Sequence, residues 1–96
     1  GYDAYVVTVG ECGAYGELVC EKLRSAGIAT LKDYGGRNMK GQFKAADRAN
    51  ARAVIIVGED EAADRNVTIK NQLDRTQVTV SLEEMAGAVS KICRGE

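Results

Sequence analysis

The run Ala53-Val54-Ile55-Ile56-Val57 contains no polar residue and has a β-branched centre, which as a strand demands burial on both of its faces. A short chain meets that demand only by laying cover on each side of a sheet. Ala4-Tyr5-Val6-Val7-Thr8-Val9, closed by Gly10, reads the same way. Between these runs, Leu18, Val19, Leu23 and Ala26 mark a helix over residues 14–26 that Gly27 stops. Residues 28–33 read as a second strand, followed by a Gly35-Gly36 turn and a basic helix over residues 38–50. Beyond the acidic loop at residues 58–64, residues 67–70 and 77–80 alternate apolar with polar across a polar turn, the pattern of a hairpin with one solvent face. Ser81-Leu82-Glu83-Glu84 has capping-box spacing and opens a last helix with Leu82, Met85, Ala86, Val89, Ile92 and Cys93 on its apolar stripe. The order β-α-β-α-β, hairpin, α predicts a three-layer α/β/α fold on a largely parallel sheet with right-handed crossovers.

Size and composition narrow the chemistry. Ninety-six residues, 45% apolar, make one domain with one core. Thirteen basic against 14 acidic residues argue against a general nucleic-acid coating protein, so any polyanion binding is expected to be local. Histidine is absent, which removes Ser-His and Cys-His nucleophilic pairs and every histidine-bearing zinc site. Cys12, Cys20 and Cys93 form an odd set without C-x-x-C spacing and read as reduced thiols. No apolar run reaches the ~18 residues of a membrane span and no secretory signal opens the chain, so a cytoplasmic location is expected.

In open α/β sheets ligands bind beyond the carboxyl ends of the strands, here residues 10–16, 33–40 and 58–64. In the first loop the glycines of Gly10-Glu11-Cys12-Gly13-Ala14-Tyr15-Gly16 fit neither G-x-G-x-x-G nor a P-loop and are expected to shape a tight turn. Cys12, near a helix N-terminus, is a minor candidate for a reactive thiolate. Glu59, Asp60, Glu61 and Asp64 read first as a solvated acidic loop, with Mg²⁺ ligation or, with Asp33, a phospho-acceptor pocket as the less common alternatives.

On the basic helix Arg37, Lys40, Lys44 and Arg48 recur at spacings of three and four, opposite Met39, Phe43, Ala46 and Asn50. A solvated face is the commoner origin of such a stripe; beside an acidic loop and a Gly-Gly turn it points to a polyanion with exposed bases. A carboxylate accepts from the Watson-Crick N-H groups of an unpaired guanine, and Glu61 is the candidate. Lys70, Asn38 and Gln77 are candidates for base hydrogen bonds, Arg37, Lys40, Lys44 and Arg48 for phosphates, and Tyr34 for stacking. A polar sheet face is an equal account of Lys70 and Gln77, and partial burial competes for Tyr34.

The stretches Leu23-Arg24-Ser25-Ala26-Gly27-Ile28, Asp33-Tyr34-Gly35-Gly36-Arg37-Asn38-Met39-Lys40, Ala46-Asp47-Arg48-Ala49-Asn50-Ala51 and Val57-Gly58-Glu59-Asp60-Glu61 carry a resemblance, in their order and spacing. With Val67-Thr68-Ile69-Lys70-Asn71 and Thr76-Gln77-Val78-Thr79-Val80 they resemble the C-terminal anticodon-binding domain of class II aminoacyl-tRNA synthetases, the histidyl family most closely. The resemblance covers nearly the whole chain. It implies a five-stranded mixed sheet flanked by helices, docked on the anticodon stem-loop of a histidine tRNA. It also implies that Glu61 and Lys70 contact anticodon bases. Two departures stand out: residues 62–66 lack the family's frequent glycine, and so does the turn Leu73-Asp74-Arg75-Thr76.

The resemblance implies that residues 1–96 form one domain of a longer ligase, commonly a homodimer, whose ATP, Mg²⁺ and histidine sites belong to a catalytic domain these residues lack. No cofactor or metal and no catalytic residue is expected in this domain. The competing reading is a protein-interaction module on the same fold. A flavodoxin-like or receiver-like signalling domain is a third.

Overall fold

Parallel pairing of the two apolar runs forms the centre of the molecule. β1 (Ala4–Thr8) and β3 (Ala53–Val57) lie side by side with Val6 opposite Ile55 and Thr8 opposite Val57. The structure, a computed structural model, describes residues 1–33 and 36–96. β2 (Thr30–Lys32) pairs in parallel on the outer side of β1, while β4 (Asn66–Asn71) and β5 (Gln77–Ser81) continue antiparallel beyond β3. The sheet order is β2-β1-β3-β4-β5, five strands of mixed direction, as expected.

Strand alternation divides the core in two. Ala4, Val6, Ala53, Ile55, Val57, Val67 and Ile69 point to one face and are buried with Tyr15, Val19 and Leu23 of α1 (Gly13–Ser25) and Met85 and Val89 of α4 (Met85–Cys93). Tyr5, Val7 and Val54 point to the other, where Ala45 and Ala46 of α2 (Met39–Arg48) cover them. Among the described residues α1 and α4, with Ala62 of the segment after β3, thus cover one face, and α2 covers the other.

With no proline in the chain, the helix ends are set by hydrogen bonds. After α1 the Ile28 N-H reaches the Leu23 carbonyl at 3.0 Å and the Gly27 N-H the Arg24 carbonyl at 3.0 Å, with Gly27 left-handed at φ 81°. Asn50, at φ 53°, ends α2 in the same manner through Ala51 N-H to Ala46 O and Asn50 N-H to Asp47 O. The Ser81 and Glu84 box is formed, Glu84 N-H to Ser81 Oγ at 3.2 Å and Ser81 N-H to Glu84 Oε1 at 3.4 Å, and it closes the turn leading into α4.

Three expectations are corrected. The acidic segment is a short helix, α3 (Glu59–Asp64): three carboxylates in its first turn suit the positive helix end, and Glu61 Oε1 accepts the Gly58 N-H at 2.7 Å. Gly13 and Gly16 lie within α1 and shape no turn; a Cβ on Gly16 would meet Thr8 Cγ2 at 2.7 Å, so this glycine lets the helix sit close on β1. Met39 is 46% exposed instead of facing the sheet, and the buried face of α2 is Gln42, Ala45 and Ala46.

Where the resemblance predicts glycines, arginines take the left-handed conformation. Arg65 has φ 58° at the end of α3 and Arg75 has φ 70° in the hairpin turn. The turn is braced by Asn71 Oδ1, which accepts from Leu73 N-H at 2.9 Å, and by Asp74 Oδ1, which accepts from Thr76 N-H at 2.9 Å and Thr76 Oγ at 2.7 Å. These bonds from Thr76 hold the Asp74 carboxyl below its usual range.

Candidate nucleic-acid interface

α2 spans β1 and reaches only the near side of β3, because its small residues Ala45 and Ala46 seat on Tyr5, Val7 and Val54. The strands beyond turn the same face outward. Register places Thr68 beside Ile56 and Lys70 beside Val54, with Thr79 and Gln77 next in line. Gln77 and Thr79 are exposed, Lys70 is half-buried, and the Thr68 and Thr79 hydroxyls lie 3.3 Å apart. Lys70 Nζ sits 5.4 Å from the centroid of the Phe43 ring, a cation-π contact that fixes its stem against α2.

At the carboxyl ends of β1 and β3 the same side opens into a groove of about 350 Å³ lined by Val9, Met39, Ile56, Glu59, Asp60 and Glu61 among others. Glu61 is held there by the Gly58 N-H, which uses one of the roughly four acceptor directions of a carboxylate. Arg37, Lys40, Lys44 and Arg48, on α2 and the segment before it, are all exposed. Arg37 is partly engaged: its guanidinium lies 3.8 Å from Asp33 Oδ1 and its N-H donates to Asp33 Oδ2 at 3.2 Å. Asn38 is the N-cap of α2, its Oδ1 accepting from the Gly41 N-H at 2.9 Å.

A family model described as an anticodon binding domain matches residues 3–92 of this chain. The chain belongs to the anticodon-binding domain family. The histidine–tRNA ligase of Bacillus subtilis (strain 168) is 45% identical over 85 residues, covering 88% of this chain and 20% of that protein. The structure of apo S. aureus histidyl-tRNA synthetase superposes with a TM-score of 0.84 at 32% identity, over 94% of this chain and 23% of that one. The RNA binding domain of threonyl-tRNA synthetase from Cryptosporidium parvum Iowa II shares the fold, with a TM-score of 0.85 at 20% identity over 95% of this chain and 23% of that one. This anticodon-binding domain spans about a fifth of the length of the curated relatives it matches.

Within the domain the candidate residues fall into two groups. Glu61 lines the rim groove with Met39, whose chain neighbours are Asn38 and Lys40, whereas Lys70 and Gln77 pair at the level of Val54, three residues down β3 from Val57. At about 3.3 Å per residue that is ~10 Å from the rim. Tyr34 lies outside the described residues. Cys12 is corrected from a candidate thiolate to a buried thiol, 5% exposed, directed at the Val9 and Val57 carbonyls at 3.4 and 3.5 Å. Cys20 is buried as expected, and its thiol is pushed up by that burial. Among the described residues no three carboxylate or thiol groups converge to hold a metal, so the acidic cluster offers no Mg²⁺ cage. Among them, too, no helix is long and apolar enough to cross a membrane.

Met39 and Ile56 of the groove, and the buried Gln42, are the residues that sequence reasoning missed. Gln42, Ala45, Ala46 and Ala49 share a spacing of three and four, a signal that identifies the sheet-facing side of α2 once small residues are weighed with large ones. Tyr5, beneath α2, has its phenol pushed up by burial and by the Asp33 carboxylate, with Arg37 and Arg48 pulling it down.

Proposed function

We propose that this domain reads the anticodon of a histidine tRNA for a histidine–tRNA ligase. The observation that carries the reading is that Glu61 lines a groove with Val9, Met39 and Ile56 at the start of α2, the helix that bears the basic stripe, on the sheet side where Lys70 and Gln77 stand. The similarity to histidine–tRNA ligases supports the choice of tRNA. Histidine anticodons contain guanine, whose Watson-Crick donors suit an acceptor-only carboxylate. Arg37, Lys40, Lys44 and Arg48 hold the loop backbone, Asn38 fixes the start of α2, and Tyr34 supplies a stacking surface.

On this reading residues 1–96 form one domain of a longer, homodimeric, cytoplasmic enzyme. Ligation, with ATP and Mg²⁺, takes place in a separate catalytic domain, and this domain contributes binding energy and discrimination.

The test is a titration with a histidine-tRNA anticodon stem-loop and with the same stem-loop carrying replaced anticodon bases. Preferential binding of the first is expected, with Glu61→Gln lowering the preference. Lys40→Ala lowers affinity for both loops and reduces the slope of log K against log salt by about 0.7, the share of one single-strand phosphate. Equal affinity of the wild-type domain for both loops would refute base reading and favour a protein-interaction role, for which the 87% exposed Leu73 at the hairpin tip is the first place to look.

A further inference from the structure

We infer that Phe43 is a positioning residue for RNA recognition: its ring holds the Lys70 ammonium at the margin of the open sheet face, ordered but not neutralised. The inference rests on the anticodon reading above and adds to it the means by which one of its cations is presented.

Lys70 stands where helix cover gives way to open sheet. Its register partner on one side is Val54, which is buried with residues of α2, and on the other Gln77, which is exposed. A lysine in such a place sweeps its long chain through solvent, and a ligand that needs the ammonium at one point bears the loss of that freedom. Phe43 removes part of that loss beforehand. Lys70 Nζ lies 5.4 Å from the ring centroid, inside the ~6 Å range over which a ring face attracts a cation. The ring is itself held, half-buried against the cluster that contains Tyr5, Val7 and Val54. Its chain neighbour Gln42 is buried and hydrogen-bonded to the main chain of Thr8, so this turn of α2 is fixed to β1.

The kind of partner decides what the ordering is good for. A carboxylate would also fix the ammonium, but it would offset the charge and occupy N-H donors. Arg37 shows that arrangement, its guanidinium lying 3.8 Å from Asp33 Oδ1. Among the described residues no carboxylate pairs with Lys70, and its side chain donates no hydrogen bond to a protein oxygen. A ring face carries no net charge to set against the ammonium. The positive charge, and the donors directed away from the ring, are left for the oxygens and nitrogens of an RNA.

The test is a double-mutant cycle on the binding of a histidine-tRNA anticodon stem-loop, read beside the Lys70 ε-CH₂ proton shifts of the free domain. In the wild type the ring should displace these protons upfield of an exposed lysine's, and Phe43→Leu should return them to the ordinary position. Phe43→Leu is expected to weaken the stem-loop about two- to fivefold, the scale of an exposed cation-π contact, and Phe43→Tyr, which keeps a ring, to restore most of that affinity. Lys70→Met keeps an apolar stem and removes the charge; in that background Phe43→Leu is expected to cause no further loss. A ring that only supports the fold would give the same loss with or without the ammonium, and that result overturns the inference, as does wild-type affinity in Phe43→Leu. Urea unfolding checks each variant; should Phe43→Leu not fold, Phe43→Met replaces it in the cycle, and ε-CH₂ protons at the ordinary position in the wild type overturn the inference by themselves. In each of these cases the anticodon reading stands as long as the wild type prefers the histidine loop to one with replaced anticodon bases. Without that preference both fall.

Discussion

Gln42 of α2 and Thr8 at the end of β1 exchange two hydrogen bonds, the Thr8 N-H donating to Gln42 Oε1 at 3.0 Å and Gln42 Nε2-H to the Thr8 carbonyl at 2.8 Å. β2 ends opposite Val6, so the carboxamide takes over the place its next residues would fill. A further bond from Gln42 Nε2 to the Arg37 carbonyl at 2.9 Å ties the entry to α2 to the same point. Gln42→Leu preserves bulk but strands Thr8 N-H and two carbonyls, and is expected to cost about 3 kcal/mol. Urea unfolding reads this as a lowered midpoint at unchanged slope. A loss below ~1 kcal/mol would mean that water replaces the amide.

Gly16 and Gly87 both lie within helices, and alanine should affect them in opposite directions. At Gly87 no atom lies within 4 Å of a built Cβ, so Gly87→Ala is expected to stabilise by up to about 1 kcal/mol through helix propensity. At Gly16 the Thr8 methyl at 2.7 Å and Lys32 Cε at 3.1 Å stand in the way, and the stiff Thr8 side chain has little room to yield. Gly16→Ala should lower the thermal midpoint despite the same propensity gain. Two shifts of equal sign would show that α1 rises off the sheet at little cost.

Arg75→Gly removes the Cβ strain of a left-handed arginine and is expected to stabilise by about 1 kcal/mol, raising the midpoint by roughly 4–8 °C for a domain of this size. Arg65→Gly relieves similar strain, but the Arg65 guanidinium lies 5.6 Å from the Tyr15 ring centroid. Losing that contact, worth ~0.5–1 kcal/mol, should bring the net change close to zero. Differential scanning calorimetry of both variants tests the contrast; equal gains would remove the role given to the ring contact.

Tyr15 is buried, and its hydroxyl donates to the Asn66 carbonyl at 2.7 Å, tying α1 to the start of β4. Burial, then the Glu61 and Glu83 carboxylates, raise its phenol above the ordinary 10.0 while Arg65 opposes them. Tyr5 is raised as well. A raised folded value means the folded state holds the proton more tightly, so this contribution is intact below pH 10 and is lost as pH rises from there through the folded values. Stability should therefore decline above about pH 10, with tyrosinate absorbance appearing late and together with unfolding. Tyr15→Phe should cost about 1 kcal/mol at neutral pH and make the alkaline decline shallower. An unchanged decline would place its cause elsewhere, for instance in the raised thiols of Cys20 and Cys93.

The parts legible in the sequence were those where one physical demand dominated. β3 runs from Ala53 to Val57 as expected because an all-apolar run has no alternative to double burial. The hairpin followed from strict alternation, although two arginines stand where glycine is usual. α3 escaped notice because its helicity comes from carboxylates at a helix start and one back-bond from Glu61, neither of which leaves an apolar stripe. Met39 was misplaced for a positional reason: helical spacing aligns it with Phe43, but it is the first residue of α2, at the rim, and remains 46% exposed. The place of Glu61 just beyond the end of β3 followed from its spacing after the apolar run. Its separation from Lys70 depends on hairpin register, which spacing along the chain does not convey.

The uneven cover of the sheet has a consequence for how such a domain changes over generations. Thr68, Gln77 and Thr79 stand on a face beyond the residues α2 covers, with Lys70 at its margin against Phe43, while the opposite face of β4 carries Val67 and Ile69 into the core. If that face meets the tRNA as proposed, alternate positions along one strand answer to different selective pressures, one set to folding and the other to the partner. Recognition can be rewritten there letter by letter without redrafting the interior.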